Sequence, residues 1–87
     1  MIVAWDEEAW NQYLYLQKEN KQLVKRVHLI ITDIKRNGYV GIGKPEPLGG
    51  NLSGWWSRRL DDKNRIVYRI MENRLDIIQC GGHYSDK

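Results

Sequence analysis

Between residues 38 and 51 the chain reads Gly-Tyr-Val-Gly-Ile-Gly-Lys-Pro-Glu-Pro-Leu-Gly-Gly-Asn, and this stretch limits the fold more than any other. Five glycines and both prolines of the 87-residue chain fall within it. Glycine loses the most backbone entropy on ordering, and proline lacks the amide that a helix interior or a central strand needs. Neither regular element can cross it, so the stretch divides the chain into two parts with different hydrophobic periods. The part before it repeats apolar residues at helical spacing, and the part after it alternates as strands do. A chain this short has room for one hydrophobic core. One α+β domain over residues 1–87 follows: a short N-terminal strand, then a two-helix hairpin packed on a small twisted antiparallel sheet.

The local signals give the elements. Ile2 to Trp5 is β-prone, and Asp6 is an N-cap with Glu7 and Glu8 in the first turn, where the helix dipole favours acids. Ala9, Trp10, Tyr13, Leu14 and Gln17 share one helix face. Lys18-Glu19-Asn20 breaks that helix, and Asn20 can cap the next. Leu23, Val24, Val27, Ile30, Ile31 and Ile34 form its apolar stripe, opposite Lys21, Lys25, Arg26, Lys35 and Arg36, and Asn37-Gly38 stops it. Beyond the glycine-rich stretch, Leu52–Leu60, Asn64–Met71 and Arg74–Cys80 read as three strands of a meander. In the middle one Ile66, Tyr68 and Ile70 face one way and Arg65, Val67 and Arg69 the other, with Arg59 near Arg65 across the sheet. Trp5, Trp10, Tyr13 and Tyr68 read as core, and Trp55, Trp56 and Tyr84 as surfaces for base stacking. Only one of the adjacent Trp55 and Trp56 can face the arginines.

Composition removes several function classes. No apolar run reaches the ~20 residues of a bilayer-spanning helix, and Met1 to Glu8 lacks the features of a signal peptide, so a cytoplasmic protein with no membrane partner is expected. Cys80 has no second cysteine to pair with and lies in an apolar strand, which makes it structural. Two histidines and one cysteine offer no metal-ligand spacing, and no metal or cofactor is expected. The net charge of +3 is unevenly spread: residues 21–44 carry six Lys/Arg against one acid. A concentrated basic surface suits a polyanion, though a solvated helix face explains it as well.

Outside the core, the chain holds what phosphodiester cleavage without metal requires. A base must take the proton from the attacking hydroxyl, an acid must protonate the leaving oxygen, and cations must stabilise the phosphoryl charge. A ribose 2′-hydroxyl as nucleophile restricts such an enzyme to RNA. Glutamate is ionised at neutral pH, so Glu46, stiffened between Pro45 and Pro47, can be the base. Histidine is partly protonated there, so His83 can be the acid. Arg65 and Arg59 can donate paired hydrogen bonds to phosphate. A plainer reading stands beside each: a solvated loop acid, a terminal histidine, and exposed strand arginines paired with Asp61 or Asp62.

The motifs Lys44-Pro45-Glu46-Pro47-Leu48, Asn51-Leu52-Ser53-Gly54-Trp55-Trp56-Ser57-Arg58-Arg59, Arg65-Ile66-Val67-Tyr68 and His83-Tyr84 resemble the YoeB (Txe/YoeB) branch of the RelE toxin superfamily. Trp5, Glu7-Glu8, Trp10 and Tyr13-Leu14-Tyr15 extend the likeness to the first helix. The resemblance implies a ribosome-dependent mRNA endoribonuclease, the toxin of a type II toxin–antitoxin pair. Such a toxin cuts message in the ribosomal A site and leaves a 2′,3′-cyclic phosphate and a 5′-hydroxyl. It implies Glu46 as general base, His83 as general acid, Arg65 as transition-state stabiliser and Tyr84 as a positioning group. Arg59, Arg58, Lys44 and Trp55 are the residues expected to contact substrate or phosphate. The implied partners are mRNA, the ribosome with its rRNA, a YefM-like antitoxin and a second copy in a homodimer, with operator DNA reached only through the antitoxin. A catalytically inactive RNA- or ribosome-binding module is the alternative, and the joint presence of Glu46, Arg65 and His83 is what argues against it.

Overall fold

The computed structural model describes residues 1–82. Along the chain run β1 (Ile2–Trp5), α1 (Glu7–Glu19), α2 (Lys21–Asn37), β2 (Glu46–Pro47), a 3₁₀ turn over Gly50–Leu52, β3 (Trp56–Arg59), β4 (Arg65–Met71) and β5 (Arg74–Cys80). The expected caps are present. The Asp6 carboxylate accepts from the Glu8 amide. Asn20 alone separates the two helices: its amide donates to the Leu16 carbonyl at 2.7 Å, and its side chain accepts from the Leu23 amide at 3.1 Å. Gly38 ends α2 at φ 71°, a conformation that costs glycine little.

The five strands form one sheet in the order β1-β5-β4-β3-β2. β2 to β5 pair antiparallel, as expected for the meander, but β1 lies parallel to β5, so the sheet is mixed. The chain leaving β1 at one end of the sheet enters the helices directly, and β1 then takes the free edge of the last strand to be made. Ala9 and Leu16 of α1 and Leu23, Val27, Ile30 and Ile34 of α2 pack on Ile66, Tyr68, Leu75, Ile77 and Cys80 of the sheet. The helical stripe and the strand alternation thus meet in one core. Truncating any such fully buried aliphatic residue costs about 2–5 kcal/mol.

Cys80 and Ile77 both reach that core although they stand three positions apart, an odd spacing that strict alternation would put on opposite faces. A bulge makes this possible: Val67 pairs with Gln79 and Tyr68 with Ile77, so Ile78 is the extra residue. The bulge also turns Gln79 to the face away from the helices. Cys80 is fully buried, its thiol pushed up to about 12 by burial, and its amide donates to Gln12 of α1 at 2.7 Å.

Three further expectations change. The Leu52–Leu60 run is a strand only over Trp56–Arg59, because Gly54 adopts φ 94° and the 3₁₀ turn precedes it. Glu46 and Pro47, expected in a loop, pair with Ser57 and Trp56 as an edge strand, where a missing proline amide is tolerated. Trp10 is not core: it is 43% exposed and lies edge-on to Trp5, with ring centroids 5.6 Å apart. Its helix turns it just past the buried stripe that Ala9 and Leu16 occupy.

Candidate functional site

One face of the sheet carries the helices, and the other gathers four of the six candidate residues that are described, Glu46, Trp55, Arg59 and Arg65. Register fixes the arrangement. Glu46 stands opposite Ser57, Ser57 opposite Val67 and Val67 opposite Gln79, while Arg59 stands opposite Arg65. Because successive residues alternate between faces, Glu46, Ser57, Arg59, Arg65 and Val67 share the face away from the helices, with Ser57 and Val67 buried on it beneath the longer side chains. With strands about 4.8 Å apart, the Cα atoms of Glu46 and Arg65 lie on the order of 12 Å from each other, with Arg59 between them. Two long guanidinium side chains and a carboxylate on that spacing can surround a phosphodiester group. Glu46 is exposed, and Arg59 and Arg65 are half-buried.

Charge is distributed unequally along this face. At one end Asp76 accepts from Arg74 at 2.6 Å and from Arg69 at 3.3 Å, and the hydrogen bond from Arg74 holds its carboxyl below the usual range. Arg69 also lies 4.4 Å above the Trp55 ring. Trp55 therefore takes the open face, while Trp56 packs toward the core and stacks on Tyr39 at 4.6 Å. At the other end, among the described residues, neither Arg59 nor Arg65 is in an ion pair. Arg65 donates instead to the backbone carbonyls of Asp61, Asp62 and Asn64 at 3.2–3.4 Å. The Asp61 carboxylate is occupied by the turn itself, accepting from the Lys63 and Asn64 amides at 2.9 and 2.8 Å. Burial pushes that carboxyl up, but these amide donors outweigh it and hold it below its ordinary value. Arg65 is thus held by neutral carbonyls rather than by a carboxylate hydrogen bond.

Arg58 does not belong to this set, and its assignment to phosphate is corrected. It pairs with Ile66, a core residue, and so points into the helix side, where it is completely buried. Its guanidinium pairs with Asp33 of α2 and donates to the carbonyls of Gly38, Val40 and Ile42 and to Tyr68 Oη. Every one of its five N–H groups has an acceptor, which leaves none for a ligand. Reading residues one at a time missed this role, although a signal was present: Asp33 is the single acid among residues 21–44, and it lies on a helix that packs on the sheet. The hydrogen bond from Arg58 holds the Asp33 carboxyl below its usual range.

Lys44 is exposed and adopts φ 52° immediately before Pro45. His83 and Tyr84 lie outside the described residues. The last described residue, Gly82, donates its amide to the Asn64 side chain at 2.8 Å, and Gln79 donates to the carbonyls of Gly81 and Gly82. The chain leaving β5 is thereby tied beside the residue that precedes Arg65. Among the described residues no group of three His, Cys, Asp or Glu side chains is placed to hold a metal ion, and no helix is long and apolar enough to cross a membrane.

This fold and these motifs have known counterparts. Residues 5–84 match the family described as the YoeB-like toxin of bacterial type II toxin-antitoxin systems. A Toxin YoeB of Synechocystis sp. is 49% identical over 85 residues, covering 98% of this chain and 99% of that protein. Among solved structures, a YoeB/ParE toxin from Agrobacterium tumefaciens superposes with a TM-score of 0.93 at 38% identity, covering 97% of this chain and all of that one. The toxin of a YoeB-YefM complex from Staphylococcus aureus superposes at 0.90 with 39% identity over 97% of this chain and 98% of that one, and a YoeB dimer from the same organism does so at 0.90 with 38% identity and the same coverage. From its first helix to its last motif, this chain belongs to the YoeB-like toxins of bacterial type II toxin–antitoxin systems.

Proposed function

We propose that this toxin is a ribosome-dependent mRNA endoribonuclease that inhibits translation by cutting message in the ribosomal A site. The observation that carries the reading is the sharing of one open sheet face by Glu46, Arg59 and Arg65, fixed by strand register. Glu46 takes the proton from the ribose 2′-hydroxyl, whose oxygen attacks the adjacent phosphorus. Arg65, with Arg59 beside it, stabilises the negative charge on the equatorial oxygens. His83 protonates the departing 5′-oxygen, and Tyr84 orients the substrate or the acid. The products are a 2′,3′-cyclic phosphate and a 5′-hydroxyl, with no metal in the chemical step. Trp55 offers a stacking surface at the rim and Lys44 a backbone contact. With only +3 of net charge, the protein relies on the ribosome to present its RNA.

The S. aureus complex and dimer support two further partners for this chain, a YefM-like antitoxin that neutralises it and a second copy of itself. Operator DNA is reached only through that antitoxin. A protein working on ribosomes acts in the cytoplasm.

The test is to add purified protein to ribosomes programmed with a defined message and to map both new ends. Breaks within or beside the A-site codon, bearing a 2′,3′-cyclic phosphate and a 5′-hydroxyl, are expected. A 3′-hydroxyl product would contradict the mechanism, and tight ribosome binding without breakage would replace the enzyme by a binding module.

A further inference from the structure

Beyond its short pairing with β3 and the Leu48 amide donating to the Trp55 carbonyl at 2.9 Å, the segment that bears Glu46 has little to hold it. β2 is two residues long and lies at the sheet edge, and neither Pro45 nor Pro47 has an amide to donate. What anchors the chain just before it is Arg58. The carbonyls of Gly38 and Val40 accept from its guanidinium at 2.8 Å and that of Ile42 at 3.1 Å. Three alternate carbonyls converging on one planar group fix the path of the loop, which a packed apolar side chain of equal volume could not do. Asp33, paired with the same guanidinium, accepts in addition from the Ile42 amide at 3.2 Å and from Asn37 at 2.8 Å. The Arg59 amide donates to the Gly43 carbonyl at 2.6 Å.

The glycines of the loop serve this approach. A Cβ on Gly41 would meet the Asp33 carboxylate and the Arg58 guanidinium, and one on Gly43 would meet Ile30 at 2.9 Å and the Arg59 carbonyl at 3.0 Å. Between Gly43 and Glu46, Pro45 locks its φ near −65°, and Pro47 restricts the chain just beyond the carboxylate. Only Lys44 and Pro45 separate the clamped loop from Glu46, so a shift at residues 38–43 is passed on to the carboxylate.

We propose that Arg58, locked to Asp33, is a positioning residue for the reaction: by clamping residues 38–43 it sets where the Glu46 carboxylate stands on the open face. This rests on Glu46 being the general base. A misplacement of about 1 Å costs a catalytic group as much as ~100-fold in rate.

The test is a double-mutant cycle on single-turnover cutting of ribosome-bound message, run at a temperature where every variant is folded. Arg58→Lys keeps the charge opposite Asp33 but loses the fork that reaches three carbonyls. It should lower the saturated rate by about 10- to 100-fold while the half-saturating concentration stays within about threefold. In a Glu46→Gln background the same change should cost less than about twofold, because the group it positions is gone. Equal losses in both backgrounds would overturn the inference and leave Glu46 as base, whereas wild-type cutting by Glu46→Gln would overturn the base itself. Gly41→Ala attacks the same clamp from the loop side and should show the same dependence on Glu46. If Arg58→Lys fails to fold, the Gly41→Ala cycle decides by the same criteria.

Discussion

Arg58 and Arg59 are neighbours in sequence and on one strand, yet they serve opposite faces of the sheet. Arg58 is fully buried, with an acceptor for each donor and a carboxylate to neutralise it. Arg59 is half-buried, stands opposite another arginine and, among the described residues, has no ion-pair partner. Two like charges directly opposite one another destabilise a sheet, whereas a buried pair with complete hydrogen bonding is tolerated. The helix face therefore satisfies its charges internally, and the Arg59 and Arg65 end of the open face leaves cationic charge without a carboxylate partner, where an anion could supply the balance. A strand that must present one arginine to a ligand can use its neighbour, at no extra length, to secure the loop that leads to Glu46.

This contrast can be broken by separating stability from cutting. Arg58→Met leaves Asp33 without its cation and the three loop carbonyls without donors, so it should lower the unfolding free energy by about 3–5 kcal/mol in urea titrations. An unchanged midpoint would mean that the buried face does not depend on the pair. Arg65→Ala should do the reverse, lowering single-turnover cutting by about 10²–10³-fold while the unfolding free energy from urea titration stays within about 0.5 kcal/mol.

Acid offers a smaller effect. Asp33 and Asp76 have carboxyls held low in the folded protein by Arg58 and Arg74. Their contribution is present above the unfolded carboxylate pKa of about 3.9 and is lost as pH falls through the lowered folded values. Thermal midpoints should therefore hold from neutral pH to about 5 and fall below about 4, and Asp33→Asn should flatten that fall. Smallest of all should be the labelling of Cys80. Its thiol is buried and pushed up to about 12, so a thiol reagent at pH 8 should modify folded protein only as fast as the chain opens, and immediate labelling would place Cys80 elsewhere.

How legible these features were in the sequence follows the range of the interactions behind them. The Asp6 and Asn20 caps and the Gly38 stop are set by side chain and backbone within three or four residues, and local reading finds them. The grouping of Glu46 with Arg59 and Arg65 was partly legible, because strand alternation sorts residues by face once the strands are known. The burial of Arg58 was not, since it depends on the partner strand and on Asp33, 25 residues away. Neither the bulge at Ile78 nor the parallel pairing of β1 has a local signature, because each arises from fitting the last strand against two others. Trp10 was misplaced because its spacing from Tyr13 fits the buried stripe, yet the stripe of α1 is narrow enough to leave it at the boundary.

Single-turnover cutting of ribosome-bound message by Glu46→Gln, with the unfolding midpoint measured on the same preparation, separates the open face from the buried one most directly. The substitution removes the base and keeps its shape, at an exposed position with no side-chain hydrogen bond among the described residues. The expected result is a rate lowered by about 10²–10⁴-fold with an unchanged midpoint. Cutting within about threefold of the wild-type rate would show that the proton leaves to some other group and that Glu46 is not the base.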